Sequence, residues 1–239
     1  MKHTENYRVA IHDTDVNNIV SASAVLRYMQ EAGNLQCEGT NADTKKLRAE
    51  GKAFILSKLS MNIYKPLYAY DQIIAQSWPC DSKGMSFNRC ARILRDGNII
   101  AELATVWAFV NLNDRKLIRV TDFDVDMSLD EPLELDMPAR VRIPRNAELS
   151  LVGERTAMYS DIDINNHVNN TNYIDMLCDF IPNMKGLRVI SVIINYINEM
   201  PLGETVKVYS LENDGTYYFR TIRENGSTGV EAEIVIDEL

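Results

Sequence analysis

The stretch DIDINNHVNNTNYIDM, residues 161–176, crowds Asp, Asn and the one His of the second half of the chain into sixteen positions. Asp161, Asp163 and Asn165 stand at the one, three, five spacing with which an EF-hand calcium loop begins, so oxygen ligation of a metal is the first chemistry to test. The remaining requirements fail. The sixth position of such a loop is Gly and here is Asn166, and the twelfth is a bidentate Glu and here is Asn172. No metal and no cofactor are expected. Attack on a carbonyl is the alternative. If the segment is extended, the spacing by two of Asp163, Asn165 and His167 turns their side chains the same way, because extended residues alternate faces. A helix beginning just beyond would set unpaired backbone amides and its positive dipole end beside them, a place for developing negative charge.

The elements that must hold these residues occur twice. HDTDVNNIVSASAVLRYMQEAG, near the start, aligns without gaps to SDIDINNHVNNTNYIDMLCDF at an offset of 148 residues (161 against 13). Asp13 matches Asp161, Asp15 matches Asp163, Asn17 matches Asn165 and Asn18 matches Asn166, whereas Ile19 stands where the second copy has His167. An imidazole in one copy and an aliphatic side chain in the other suit a duplicated scaffold with its chemistry kept in one half. After each copy the apolar positions take helical spacing, Val25, Leu26, Met29 and Ala32 in the first and Tyr173, Ile174, Leu177 and Ile181 in the second. Asn and Thr at 165–172 can cap the helix start, and Pro182 closes its far end.

Strand-like runs follow each helix, AFILSKLSMNIY to NIIAELATVWAFVNL in the first half and RVISVIINYI to VEAEIVI in the second. Asp96-Gly97, Asp214-Gly215 and Asn225-Gly226 mark tight hairpins between them. The expected unit is a long helix against a curved antiparallel sheet. Doubled in one chain, this is an α+β tandem hotdog with two antiparallel sheets, each wrapping a long helix. The boundaries read as residues 1–120 for the first repeat, 121–148 for an acidic, proline-broken connector and 149–239 for the second.

Composition removes other classes. The chain has 239 residues, 46% hydrophobic and 25% charged, with a formal net charge of -9. That balance opposes nonspecific nucleic-acid binding. No apolar run approaches the ~20 residues of a membrane span. The opening residues lack the apolar core of a secretory signal, so a cytoplasmic protein is expected. Cys37, Cys80, Cys90 and Cys178 form no zinc-type cluster with His3, His12 and His167 and read as reduced thiols.

The string DIDINNHVNNTNYI, with Glu199 downstream in INYINEMPLGE, resembles the acyl-acyl carrier protein (ACP) thioesterases of plants and bacteria, whose second hotdog repeat carries D-x-N-x-H-V-N-N-x-x-Y. GNIIAELATVWAFVNLNDRKLIRV is similar to that family's first repeat, so the resemblance covers nearly the whole chain. It implies hydrolysis of fatty acyl-ACP to free fatty acid and ACP, terminating fatty acid synthesis, with catalytic roles for Asp163, Asn165, His167 and Glu199. Burial of Glu199 at the end of an apolar strand would raise its pKa and its basicity. Two schemes remain open: His167 and Glu199 deprotonate water, or Asp163 attacks the acyl carbon to form a mixed anhydride. Some members of the family carry Cys directly after the Glu, where this chain has Met200. Cys178 lies eleven residues past His167, about 16 Å along a helix, so thiol catalysis is not expected.

HDTDVNNIV also resembles the D-x-D-x-x-G-x-V segment of single-hotdog acyl-CoA thioesterases, which would implicate Asp15. Asn18 replaces the Gly of that pattern and the His is missing, so Asp15 reads as vestigial or structural. The first half is then free to house the acyl chain, with Ile19, Met29, Ile55 and Met61 as candidate wall residues. The carrier is the open point. An acyl-CoA thioesterase and a noncatalytic acyl-binding protein are the rival readings. Because ACP is acidic, Lys45, Lys46, Arg48, Arg140, Arg142 and Arg145 are the candidate contacts for it. Exposed sheet edges favour a homodimer.

Overall fold

The structure, a computed structural model, describes residues 2–144 and 147–239. Strand β1 (His3–Arg8) leads through a 3-10 turn at Ile11–Asp13 into helix α1 (Ala22–Cys37) and the short α2 (Thr44–Ala49). Strands β2 (Lys52–Ile63), β3 (Gln72–Pro79), β4 (Ser86–Arg95), β5 (Asn98–Asn111) and β6 (Lys116–Ile118) complete the first half. The second half runs β7 (Ser150–Thr156), a 3-10 turn at Tyr159–Asp161, α3 (Asn172–Cys178), β8 (Leu187–Tyr196), β9 (Thr205–Asn213), β10 (Thr216–Ile222) and β11 (Thr228–Glu238). The three Gly turns expected from sequence lie where the chain reverses, with Gly97, Gly215 and Gly226 all at positive φ.

The strands form one antiparallel sheet in the order β1-β3-β4-β5-β2-β8-β11-β10-β9-β7, with β6 added beside β5. Each half has the same internal order, and the halves meet where β2 pairs with β8, from Lys58↔Asn195 to Asn62↔Ser191. Two separate sheets were expected, so this is a correction. Sequence periodicity places residues on strands but says nothing about which bare edge meets which, and here each half covers the other's edge. The second helix is also corrected. It has seven residues against sixteen in α1, and it ends at Cys178, well before Pro182.

Helix α1 begins with Ser21, whose side chain accepts from Ala24 N, and lies across β3. Its face of Val25, Leu26, Met29 and Ala32 is fully buried. Burying Leu26 or Met29 stabilises by roughly 2 kcal/mol each. The matching set Tyr173, Ile174, Leu177 and Ile181 is buried too, although Ile181 lies beyond the end of α3. The chain between the halves runs over the sheet without forming a strand among its described residues, and it is pinned where Trp78 Nε1 donates to Glu131 O at 2.9 Å.

Candidate active site

Residues 161–169 do not form the extended segment expected from the spacing. The chain reverses: Asp163 N donates to His167 O at 3.0 Å and Asn166 N to Asp163 O at 3.0 Å, between bridged partners Ile162 and Val168. Asn166 makes the reversal possible, with φ at 63°. The first copy folds the same way. Asp15 N donates to Ile19 O at 2.8 Å, Asn18 N donates to Asp15 O at 3.0 Å, and Asn18 has φ at 59°. Asn thus performs at both positions the left-handed turn for which Gly is the usual residue. Asn166→Ala is expected to lower stability by about 1–2 kcal/mol, whereas Asn166→Gly stays within a few tenths, as read by denaturant unfolding.

The turn sets the side chains. Asp163 accepts from Asn165 N at 2.7 Å on one oxygen and from Asn165 Nδ2 at 3.1 Å on the other. The Oδ1 of Asn165 receives Arg48 Nη2, from the far half of the chain. The equivalent Asn17 is used differently. Its Nδ2 donates to Met184 O and Leu187 O, and its Oδ1 receives Gly186 N, so it clamps the loop before β8.

Glu199 reaches the turn through the backbone. Val168 N donates to Met200 O at 2.9 Å and His167 bridges Pro201, which sets Glu199 Oε1 3.4 Å from His167 Nε2. Glu199 is not buried as expected: its side chain is 53% exposed while that of His167 is 17% exposed. Glu199 lies past the end of β8 at Tyr196, in the irregular segment that enters the Pro201–Gly203 turn, so the burial expected of it is not present.

The helix start offers no open row of amides. Thr171 N donates to Asn169 Oδ1, Asn172 N to Asn169 O and Ile174 N to Thr171 O. Asn169 therefore orders the entry to α3 from within the loop and takes up two of the amides expected to receive an oxyanion. Tyr196, stacked edge-on against Tyr173, donates its hydroxyl to Asn170 O at 2.8 Å and braces the same loop. Burial pushes the Cys178 thiol up to about 12, so it is not a thiolate at neutral pH.

A cavity of about 1310 Å³ opens at this loop. Asp163, Asn165, Tyr159 and Leu202 line one side, and the other side comes from the first half, including Met29, Phe54, Phe87 and Trp107. His167 and Glu199 flank the loop without lining that cavity. A smaller one, about 460 Å³, lies at the first copy beside Asp15 and Ile19. Of the four expected wall residues only Met29 lines the large cavity. Ile19 lines the small one, and Met61 is core at 0% exposure. Ile55 lines neither.

Of the basic residues, Lys45 and Arg48 border the large cavity. Lys46 is turned to the Gly39 and Thr40 carbonyls, Arg142 to Asp136, and Arg145 lies outside the described residues. Two contacts were not foreseen. Arg48 meets Asn165 across 117 positions, which no local pattern signals, and Arg155 binds Asp161 at 3.0 Å.

Comparison with known proteins adds the family. The Acyl-ACP thioesterase N-terminal domain model matches residues 1–126 and the Acyl-ACP thioesterase C-terminal domain model matches residues 146–237. The chain is 26% identical over 200 residues to the oleoyl-acyl carrier protein thioesterase 2, chloroplastic, of Arabidopsis thaliana, covering 75% of this chain and 54% of that one. It is 21% identical to a palmitoyl-acyl carrier protein thioesterase, chloroplastic, of Cuphea hookeriana, covering 74% and 46%. The chain spans about half the length of the curated relatives it matches. Its fold is that of an acyl-ACP thioesterase from Bacteroides thetaiotaomicron, with TM-score 0.87, 22% identity and coverage of 99% and 98%. The 12:0-ACP thioesterase from Umbellularia californica gives a TM-score of 0.78 at 14% identity, with coverage of 100% and 98%.

Proposed function

The chain belongs to the acyl-ACP thioesterase family, and from that premise we propose that it hydrolyses fatty acyl-ACP to free fatty acid and ACP, terminating fatty acid synthesis in the cytoplasm. The scaffold is a tandem hotdog in which residues 1–120 house the acyl chain, 121–148 connect and 149–239 carry the chemistry. The identical strand order of the halves and the repeated turn support that division. The observation that carries the function is the meeting of the Asp163–Asn165 turn with the large cavity, while His167 and Glu199 stand 3.4 Å apart beside it.

Asp163 is the ionisable group of the four that the cavity reaches, and Asn165 holds both its oxygens. It attacks the thioester carbon, the C–S bond breaks, and ACP leaves as thiolate, which takes a proton from solvent. The mixed anhydride is then hydrolysed by water whose proton passes to His167, with Glu199 stabilising the imidazolium. Direct attack by that water on the thioester is the second reading, favoured by the His167–Glu199 pair itself. Lys45 and Arg48 at the cavity border suit an acidic carrier, and the open edges of β1 and β7 suit a homodimer.

Thiol release from matched acyl-ACP and acyl-CoA series tests the reading, with His167→Ala and Glu199→Ala beside the parent. His167→Ala is expected to slow turnover by roughly 10²- to 10⁴-fold. Equal rates in parent and variants would remove the site, and faster turnover of the CoA series would replace the carrier.

A further inference from the structure

The large cavity contains a positive charge with no negative partner. Arg89, on β4, extends beneath α1 at Gly33, where an added Cβ would meet Ser77 Oγ at 3.3 Å and Arg89 Cδ at 3.4 Å. Its Nη1 donates to Gln36 Oε1 at 2.6 Å and to Ser77 Oγ at 2.8 Å. Its Nη2 faces only sulfur, Cys37 Sγ at 3.5 Å and Met127 Sδ at 3.8 Å. Among the described residues no carboxylate pairs with it. Burial lowers its pKa, yet a guanidinium remains charged in proteins.

One helical turn before Gly33, Gln30 also lines the cavity, and its Nε2 is buried without an acceptor. The strut formed with Gln36 and Ser77 accounts for Nη1 alone. It leaves a cation without a counter-charge, and an orphaned amide donor just behind the wall, beside a space that Met29, Ala91, Leu103 and Trp107 line together with charged residues, among them Glu31, Glu38, Asp43 and Asp81. A plain alkyl chain there would return nothing to either donor.

We propose that the cavity accepts acyl chains bearing an oxygen acceptor, a hydroxyl or a terminal carboxylate, and that Arg89 with Gln30 selects them. The proposal rests on the thioesterase reading for its substrate. An acceptor on the chain gives Nη2 a stronger partner than its two sulfurs and offers one to the Gln30 amide, and a site built to bind such a group discriminates against a chain lacking it.

The test uses the full chain and acyl-ACP of one length in three forms, plain, hydroxylated at successive positions toward the chain end, and ω-carboxylated. The parent is expected to show kcat/KM at least about tenfold higher for one oxygenated form than for the plain chain. In Arg89→Met and Gln30→Leu the ratio of oxygenated to plain turnover falls toward one. Preference for the ω-carboxyl form identifies a counter-charge, and preference for the hydroxyl form a neutral acceptor. A parent that favours the plain chain over every oxygenated one overturns the proposal, as does a preference that survives in both variants. Displacement of a fluorescent acyl probe by non-hydrolysable amide analogues of the three carrier-linked chains reads the same selectivity without hydrolysis. A parent inactive on all thioesters therefore ends the thioesterase reading while this binding result still decides for or against Arg89. The parent's own preference, read both ways, also decides if a variant fails to fold.

Discussion

Asp163→Asn is expected to lower kcat/KM on acyl-ACP by roughly 10³- to 10⁴-fold, the scale on which removal of a nucleophile or its partner registers in hydrolases, with little change in Tm. The carboxamide has nearly the shape of the carboxylate, and its oxygen still accepts the Asn165 amide that closes the turn. It cannot also accept from Asn165 Nδ2, a bond in a half-exposed loop that contributes about 1 kcal/mol or less. Backbone bonds from Asp163 N to His167 O and from Asn166 N to Asp163 O are untouched. What the substitution removes is the negative oxygen facing the cavity. Rapid-quench measurement of thiol and free acid in single turnover, beside calorimetry, checks both halves of the expectation. A rate within about tenfold of the parent would make Asp163 a brace and leave water activation to His167 directly. In His167→Ala the same measurement is expected to show thiol released ahead of free acid, because the anhydride forms but is hydrolysed slowly.

The sequence carried the repeat almost completely and the site only in part. The offset of 148 pairs the backbone bonds of the two turns, because short-range turns at Asp and Asn are written into local residue types. The same composition argued against an extended segment. Two adjacent Asn residues mark a left-handed turn, and the period-two spacing of Asp163, Asn165 and His167 was the weaker signal. Helix faces were legible because burial follows the 3.6-residue period, whereas the length of α3 was not, since Asp179 to Gly186 leave the helix with no strong breaker until Pro182. Joining of the sheet at β2 and β8, the Arg48 contact and the lining of the cavity by both halves depend on tertiary docking, which no single-strand pattern encodes. Glu199 was legible by resemblance alone, and it is exposed because the apolar strand before it ends at Tyr196, three residues short of it.

Two residues before Asp163 stands a carboxylate with the opposite expectation. Asp161→Ala is expected to cost about 3–5 kcal/mol of stability, since removing one member of a buried ion pair strands the other. Asp161 is 8% exposed, receives Arg155 Nη2 on both oxygens at 3.0 and 3.1 Å, and accepts Met158 N at 2.8 Å, closing the 3-10 turn that enters the site. Without Asp161, Arg155 keeps only the bond from Nη1 to Thr156 O at 2.9 Å, and its Nε is already buried without an acceptor. At roughly 2–4 °C per kcal/mol for a chain of this size, Tm falls by about 6–20 °C. The first-copy equivalent is held more lightly. Asp13 receives Tyr28 hydroxyl at 2.6 Å, and Arg27 stands 4.0 Å away with 45% of its side chain exposed, so Asp13→Ala costs less. Scanning calorimetry and thiol release on the same preparations separate the two acids of the second copy. Asp161→Ala is expected to retain most of its turnover well below its lowered Tm, and Asp163→Asn to lose turnover at a Tm close to that of the parent. A similar loss of both properties in both variants would merge the two acids into one structural cluster and take the nucleophile out of the mechanism.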